Sequence, residues 1–249
     1  MVQPPAKVAL VTGGARRVGA TLVKHLHKAG YNIVLHFNNS ADEAAAFATE
    51  LNQQRPDSVR LVQANLNDMT AVQALATEAL ACWQRMDLLV NNASAFYPTP
   101  VTESSQEQWD ELINSNLRAP YFLCAALADA LTEHKGNIIN LIDIHAQRGL
   151  PGYPIYSIAK AGLQMLTYSM AKELAPSVRV NGVSPGPILW PENAAAQSAA
   201  EQDAILQKTL LKRTGSAEDL AEAALYLSQA GYVTGQVIAV DGGKSLYSH

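Results

Sequence analysis

Only two cysteines, Cys82 and Cys124, occur in 249 residues, and both lie in apolar or helical-looking stretches. That is too few for a disulfide framework and the wrong spacing for zinc, so free buried thiols and no metal are expected. No apolar run approaches membrane-spanning length, and no signal-peptide pattern precedes the first apolar strand. A cytoplasmic chain without a membrane partner is the expectation. Charged residues make up 16% of the sequence, with a net charge of -4 and no basic stripe. This argues against a partner read through its phosphate backbone, hence against nucleic acid, and in favour of small molecules. Repeats and low-complexity linkers are missing too, so residues 1–249 are expected to form one domain.

What is present is an alternation. Short Val/Ile/Leu runs at Lys7–Thr12, Asn32–His36, Val59–Gln63, Leu88–Asn91, Asn137–Ile142, Val178–Val183 and Val237–Val240 read as strands. Helix-like segments run from Arg17 to Ala29, Ala41 to Gln54, Met69 to Trp83, Gln106 to Thr132, Ile155 to Ala175 and Ala217 to Gln229. The pattern predicts an α/β, doubly wound Rossmann fold with a seven-stranded, mostly parallel sheet and helices on both faces. Pro185–Lys212 interrupts the rhythm and reads as a lid. In such a sheet the ligand crevice lies beyond the carboxyl ends of the strands. Arg17, Asn92–Phe96, Asp143 and Pro185–Trp190 all follow strands in that way.

Tyr156 and Lys160 stand four apart on one helical face, with Asp143 thirteen residues before the tyrosine. An ammonium beside a phenol favours phenolate. A tyrosine near pKa ~10 must fall by roughly 3 units, about 4 kcal/mol, to exchange protons near neutrality. One cation at about 4 Å supplies roughly that much in an effective dielectric near 20. An ionised Asp143 would push the phenol back up, so it is either protonated or held apart as a relay. Equally, Asp143 could cap the segment that follows it, with Tyr156 and Lys160 as surface residues of an ordinary helix.

After the first strand, Thr12-Gly13-Gly-Ala-Arg-Arg17-Val18-Gly19 makes a glycine turn into a helix, suited to a pyrophosphate. Its spacing is not G-x-G-x-x-G, and Arg17 stands where a small residue would normally allow close approach. A cation at a helix N-terminus is unfavourable unless an anion compensates it, so Arg17 is expected to face an anion. The second strand ends without the acidic residue that would take a ribose 2′-hydroxyl, which favours NADP over NAD. His36, Asn39 and Ser40 could donate to a 2′-phosphate, although His36 could simply end its strand. Asn65 and Leu66 could border an adenine or form a plain turn.

Thr12-Gly-x-x-x-x-x-Gly19, Asn91-Asn92-Ala93-Ser94, Asn116, Tyr156-x-x-x-Lys160, Pro185-Gly186 and the closing Val-Asp-Gly-Gly together resemble the short-chain dehydrogenase/reductase family along the whole chain. Within it, Arg17, the run from Asn92 to Pro100 and Asp143 at the usual serine position resemble the pteridine reductases, in a bacterial form. The resemblance implies that Tyr156 is the acid, that Lys160 binds nicotinamide ribose, and that Asn116 holds a helix and a water for proton resupply. It further implies that Phe96 stacks on a pterin sandwiched against nicotinamide. Ser94 and Arg17 would then hydrogen-bond the ring and the cofactor phosphate. Tyr97, Leu189 and Trp190 could line the pocket or pack elsewhere. The trypanosomatid members carry arginine at the position of Asn39 and aspartate at that of Asn65, and this chain departs from both. The function implied is NADPH-dependent reduction of dihydropterins, extending to dihydrofolate and oxidised pterins. The alternatives are a carbonyl reductase of oxoacyl thioesters or ketones, and a non-catalytic NADP sensor. Family members assemble through their two long helices, so a homotetramer is the implied state.

Overall fold

A computed structural model describes residues 5–190 and 198–247. Seven strands, β1 (Val8–Val11), β2 (Asn32–Phe37), β3 (Val59–Gln63), β4 (Leu88–Asn91), β5 (Asn137–Leu141), β6 (Arg179–Pro185) and β7 (Val237–Val240), form one sheet in the order β3-β2-β1-β4-β5-β6-β7. Every pairing is parallel. The two βα-connected halves run outward from the β1–β4 pair, which puts the topological switch point between those strands. The inner strands β1 and β4 are buried along their whole length, as continuous apolar runs require in a sheet covered on both faces.

The helices are α1 (Arg17–Lys28), α2 (Ala41–Gln54), α3 (Met69–Trp83), α4 (Gln106–Ile113), α5 (Ala119–Glu133), α6 (Pro154–Glu173), α7 (Ala199–Gln207) and α8 (Ala217–Gln229). One core packs α1, α2 and α8 on one face of the sheet through Leu22, Phe47 and Leu220. The other packs α3 and α5 through Leu75, Leu123 and Leu127. Within the stretch expected as a lid, α7 is a new element, and residues 191–197 of that stretch lie outside the described residues.

The helix expected from Gln106 to Thr132 is broken. A π-helical turn, Asn114–Arg118, separates α4 from α5. Asn116 causes the widening locally: its side-chain amide donates to the Leu112 carbonyl at 3.0 Å, competing for the acceptor that a regular α-turn would give to a backbone N–H. Such turns are frequent at functional sites. No described helix is long and apolar enough to cross a membrane, and among the described residues no group of three or more His, Cys, Asp or Glu is placed to hold a metal.

Candidate active site

A cleft of about 550 Å³ opens at the carboxyl ends of β1, β2, β4, β5 and β6. Its floor is knitted by the glycine turn and the end of β4. The Asn92 side chain donates to the carbonyls of Thr12 (2.8 Å) and Gly13 (3.1 Å), and the Thr12 hydroxyl accepts from the N–H groups of Asn92 (3.0 Å) and Ala93 (3.1 Å). Gly19 is forced by this closeness, since a β-carbon there would lie 1.9 Å from the Gly13 carbonyl oxygen. Gly13 itself has φ +63°, a region costly to other residues. Helix α1 then begins with no side-chain cap and no acidic residue in its first turn. The N–H groups and positive dipole end at this helix start suit a pyrophosphate.

Gly13, Arg17, Val18, Gly19, Asn39, Ser40, Asn92, Ala93, Ser94, Asp143, Tyr156, Lys160, Pro185, Gly186 and Leu189 all line this cleft. His36 does not, which corrects its expected role as a phosphate donor. It is 1% exposed, its Nδ1 accepts from the Gly13 N–H at 3.1 Å, and its Nε2 then donates to the Ala64 carbonyl at 3.1 Å. His36 is a brace under the turn. Burial lowers its pKa from 6.5 to about 4, against the opposing pull of the Ala64 carbonyl. A depressed folded-state value means that the stability from neutral His36 is complete above pH 6.5 and is lost as pH falls toward 4. The full loss is about 3 kcal/mol. Unfolding midpoints measured from pH 7 to pH 4 should fall more steeply in the native protein than in His36→Gln, which keeps a polar group but does not titrate.

Leu66 also stands off the cleft lining, buried in the core with the apolar residues of α3. Asn65 stands outside the cleft lining, with its side chain accepting from the Asn67 N–H at 3.0 Å in a local turn. In its place the structure brings in Arg16, which the sequence reading passed over. The Arg16 Nε donates to Ser40 Oγ at 2.8 Å and its guanidinium lies 3.3 Å from Glu43, with Asn38 and Asn39 alongside in the lining. A second arginine in the glycine turn was the available signal.

At the inner end, the Tyr156 hydroxyl donates to Asp143 Oδ2 at 3.0 Å. The other carboxylate oxygen accepts from the His145 N–H at 2.8 Å, so Asp143 also caps the short helical turn Ile144–Ala146. The capping contact and the contact with Tyr156 thus use different oxygens of the same carboxylate. Lys160 is 2% exposed and donates to the Leu141 carbonyl at 2.9 Å, with its nitrogen 5.6 Å from the Tyr156 ring centre. The expected lowering of the phenol pKa is not found. Burial holds Tyr156 well above the usual tyrosine value, and the Asp143 charge pushes it in the same direction. Desolvation of phenolate is the largest cause, and a hydrogen bond with Ser94 opposes it. Lys160 is itself lowered to about 8 by burial, with Asp143 opposing the shift.

Asn116 stands behind the cleft rather than on it. Its amide donors are spent on the Ala95 and Leu112 carbonyls, and its Oδ1 accepts from Ser94 Oγ at 2.7 Å. Ser94 links it to the lining. Phe96 lies beyond the lining as well, packed edge-on to Tyr156 with ring centres 4.8 Å apart. Tyr97 turns away and donates to Glu111 at 2.9 Å. Trp190 meets the cleft through its backbone, where its carbonyl accepts from Arg17 at 3.0 Å. The two thiols differ: Cys124 is buried, with its pKa raised to about 12 by burial, whereas Cys82 is half-buried.

Comparison with known proteins agrees with this architecture. A family model described as enoyl-(acyl carrier protein) reductase matches residues 13–245. Pteridine reductase 1 of Leishmania tarentolae is 37% identical over 98% of this chain and 98% of its own. The 3-oxoacyl-(acyl-carrier-protein) reductase of Chlamydia trachomatis is 34% identical over 96% of this chain and 97% of its own, and that of Staphylococcus aureus is 34% identical over 95% and 97%. With the glycine turn, the Tyr156–Lys160 pair and the parallel sheet in one cleft, the chain belongs to the short-chain dehydrogenase/reductase family and is an oxidoreductase dependent on NAD(P)H.

Proposed function

We propose that the protein reduces dihydropterins to their tetrahydro forms with NADPH. The observation that carries this reading is the hydrogen bond from Tyr156 to Asp143. A carbonyl substrate needs two donors, because its oxygen only accepts and becomes anionic as it is reduced. Here the second group is a carboxylate, which repels an oxyanion. A C=N unit differs, since its nitrogen ends the reaction as an N–H, a donor that a carboxylate can accept. Bound NADPH supplies the hydride for the ring carbon. Tyr156 delivers its proton to the nitrogen, with the phenol kept protonated until then by its burial and by the neighbouring charge, and Asp143 relays a replacement proton from solvent to the phenolate. Lys160 carries its charge below about pH 8 and partly offsets that of Asp143.

The NADPH preference rests on Arg16, Asn39 and Ser40 at the far end of the cleft, with no carboxylate at the end of β2. Arg16 provides the cation that the residues after β2 lack, although Glu43 competes for it. A pyrophosphate on the α1 N-terminus and a nicotinamide near Tyr156 would span the cleft between these two ends. Exposed apolar side chains on the long helices, Trp109, Tyr121 and Phe122 on α4 and α5 with Ile158 and Met165 on α6, provide a surface for assembly into the tetramer.

The second reading, reduction of oxoacyl thioesters, is favoured by the 34% identical relatives. Purified protein assayed with dihydrobiopterin, dihydrofolate, an oxoacyl thioester and simple ketones, each with NADPH and with NADH, separates them. Pterin turnover with NADPH and none with the thioester is expected. Thioester turnover alone would replace the pterin reading, and no cofactor oxidation with any substrate would replace both by a sensor.

A further inference from the structure

The segment 92–100 after β4 has no regular structure, yet it is held at several points. The Thr99 N–H donates to the Gly152 carbonyl at 2.7 Å, and Tyr97 is tied to Glu111. Between them, Phe96 lies against Tyr153 with ring centres 4.7 Å apart and planes 10° from parallel. The only other ring against Phe96 among the described residues is that of Tyr156, at 75°.

The two rings differ in how firmly they are mounted. Tyr153 is the N-cap of α6. Its carbonyl accepts from the Ser157 N–H (3.0 Å) and the Ser157 hydroxyl (2.9 Å), and its N–H donates to the Leu150 carbonyl (2.9 Å). Leu150 in turn donates to the Ser157 hydroxyl at 2.9 Å. Tyr153 is therefore fixed to the same helix end that presents Tyr156, one turn later, whereas Phe96 sits on irregular backbone. Among the described residues the Tyr153 hydroxyl makes no hydrogen bond, so what this side chain contributes is its ring.

We propose that Tyr153 is a positioning residue that backs Phe96 and fixes its plane nearly perpendicular to Tyr156, so that Phe96 is pre-set as the bed for a flat heteroaromatic ring. The proposal rests on the pterin reading. A ring already stacked on Tyr153 need not be ordered by the substrate that lands on it. Aromatic pairs stack offset with their centres in the range found here. Shape selection follows: a planar bicycle uses this bed fully, and a flexible acyl chain does not.

The test compares Tyr153→Leu and Tyr153→Phe. The leucine variant keeps apolar bulk without a stacking face, and its KM for dihydrobiopterin should rise by about 3- to 10-fold, the range that one aromatic pair covers. Its kcat and its KM for NADPH should stay at the native values, and Tyr153→Phe should restore the native KM for the pterin. An unmoved pterin KM in Tyr153→Leu overturns the proposal alone. A lower KM overturns it by making Tyr153 an occupant of the substrate's place. A rise in both KM values overturns it in favour of a general structural role. Native protein that turns over no pterin removes the proposal together with the reading beneath it.

Discussion

Asp143→Ser is expected to cut dihydropterin turnover by roughly 10²- to 10⁴-fold, the range general acid–base groups contribute, while NADPH still binds with native affinity. The asymmetry follows from what each oxygen of Asp143 does. One accepts from the His145 N–H as the cap of a helical turn, a task that serine performs as well. The fold at the end of β5 should therefore survive. The other oxygen accepts from Tyr156, and a serine hydroxyl cannot replace its charge. Burial would still hold the phenol above its usual value, but the repulsion from the carboxylate would be gone, so the Tyr156 pKa should fall. Lys160 would lose the neighbour that raises its own pKa, and its value should drop below about 8. Both shifts move the alkaline limb of the residual activity to lower pH. Turnover against pH in the native protein, Asp143→Ser and Asp143→Asn measures this, with NADPH affinity followed by fluorescence. Native turnover in the serine variant would end the proton-delivery role. A gain of ketone reduction in the same variant would show that this one position separates the two chemistries.

Strand and helix positions were legible because a buried parallel sheet writes itself as Val/Ile/Leu runs; β3, β4, β7, α2, α3 and α8 fall on the expected bounds. The cleft-lining residues after β1, β4, β5 and β6 were legible for the same reason, since topology decides where strand ends go. What was hidden depends on three-dimensional neighbours. Asn116 looks like any helical residue until its amide reaches the Leu112 and Ala95 carbonyls and opens a π-turn. His36 stands at or next to the end of its strand in either reading, and its inward contact with the Gly13 N–H shows only in three dimensions. Tyr156 was expected to be acidic from its spacing to Lys160, yet the sign of its shift depends on burial, which spacing does not report. Phe96 was correctly grouped with the residues after β4, but its partner Tyr153 lies 57 positions later and carries no motif.

Arg17→Gly should separate stability from activity. Arg17 has φ +52°, a left-handed conformation that costs a residue with a β-carbon roughly 1–2 kcal/mol. It also stands in the first turn of α1, where a positive charge opposes the helix dipole by about 0.3–1 kcal/mol. Glycine removes both penalties. Against this stand the greater freedom of glycine in the unfolded chain, roughly 0.4–1 kcal/mol, and the lost bond to the Trp190 carbonyl. These opposing terms are of similar size, so the thermal midpoint of Arg17→Gly should stay close to that of the native protein. On the pterin reading, in which the Arg17 guanidinium bonds both the cofactor phosphate and the ring, kcat/KM for dihydropterin should fall by roughly 10²- to 10⁴-fold, from about 1.5–3 kcal/mol at each contact. Arg17→Lys, which keeps the charge and loses the planar fork, should fall between the two. Strain of this kind persists where function selects it. Calorimetry and steady-state kinetics on the three proteins decide the matter: a glycine variant both more stable and as active as the native protein would leave the strained arginine without a functional reason.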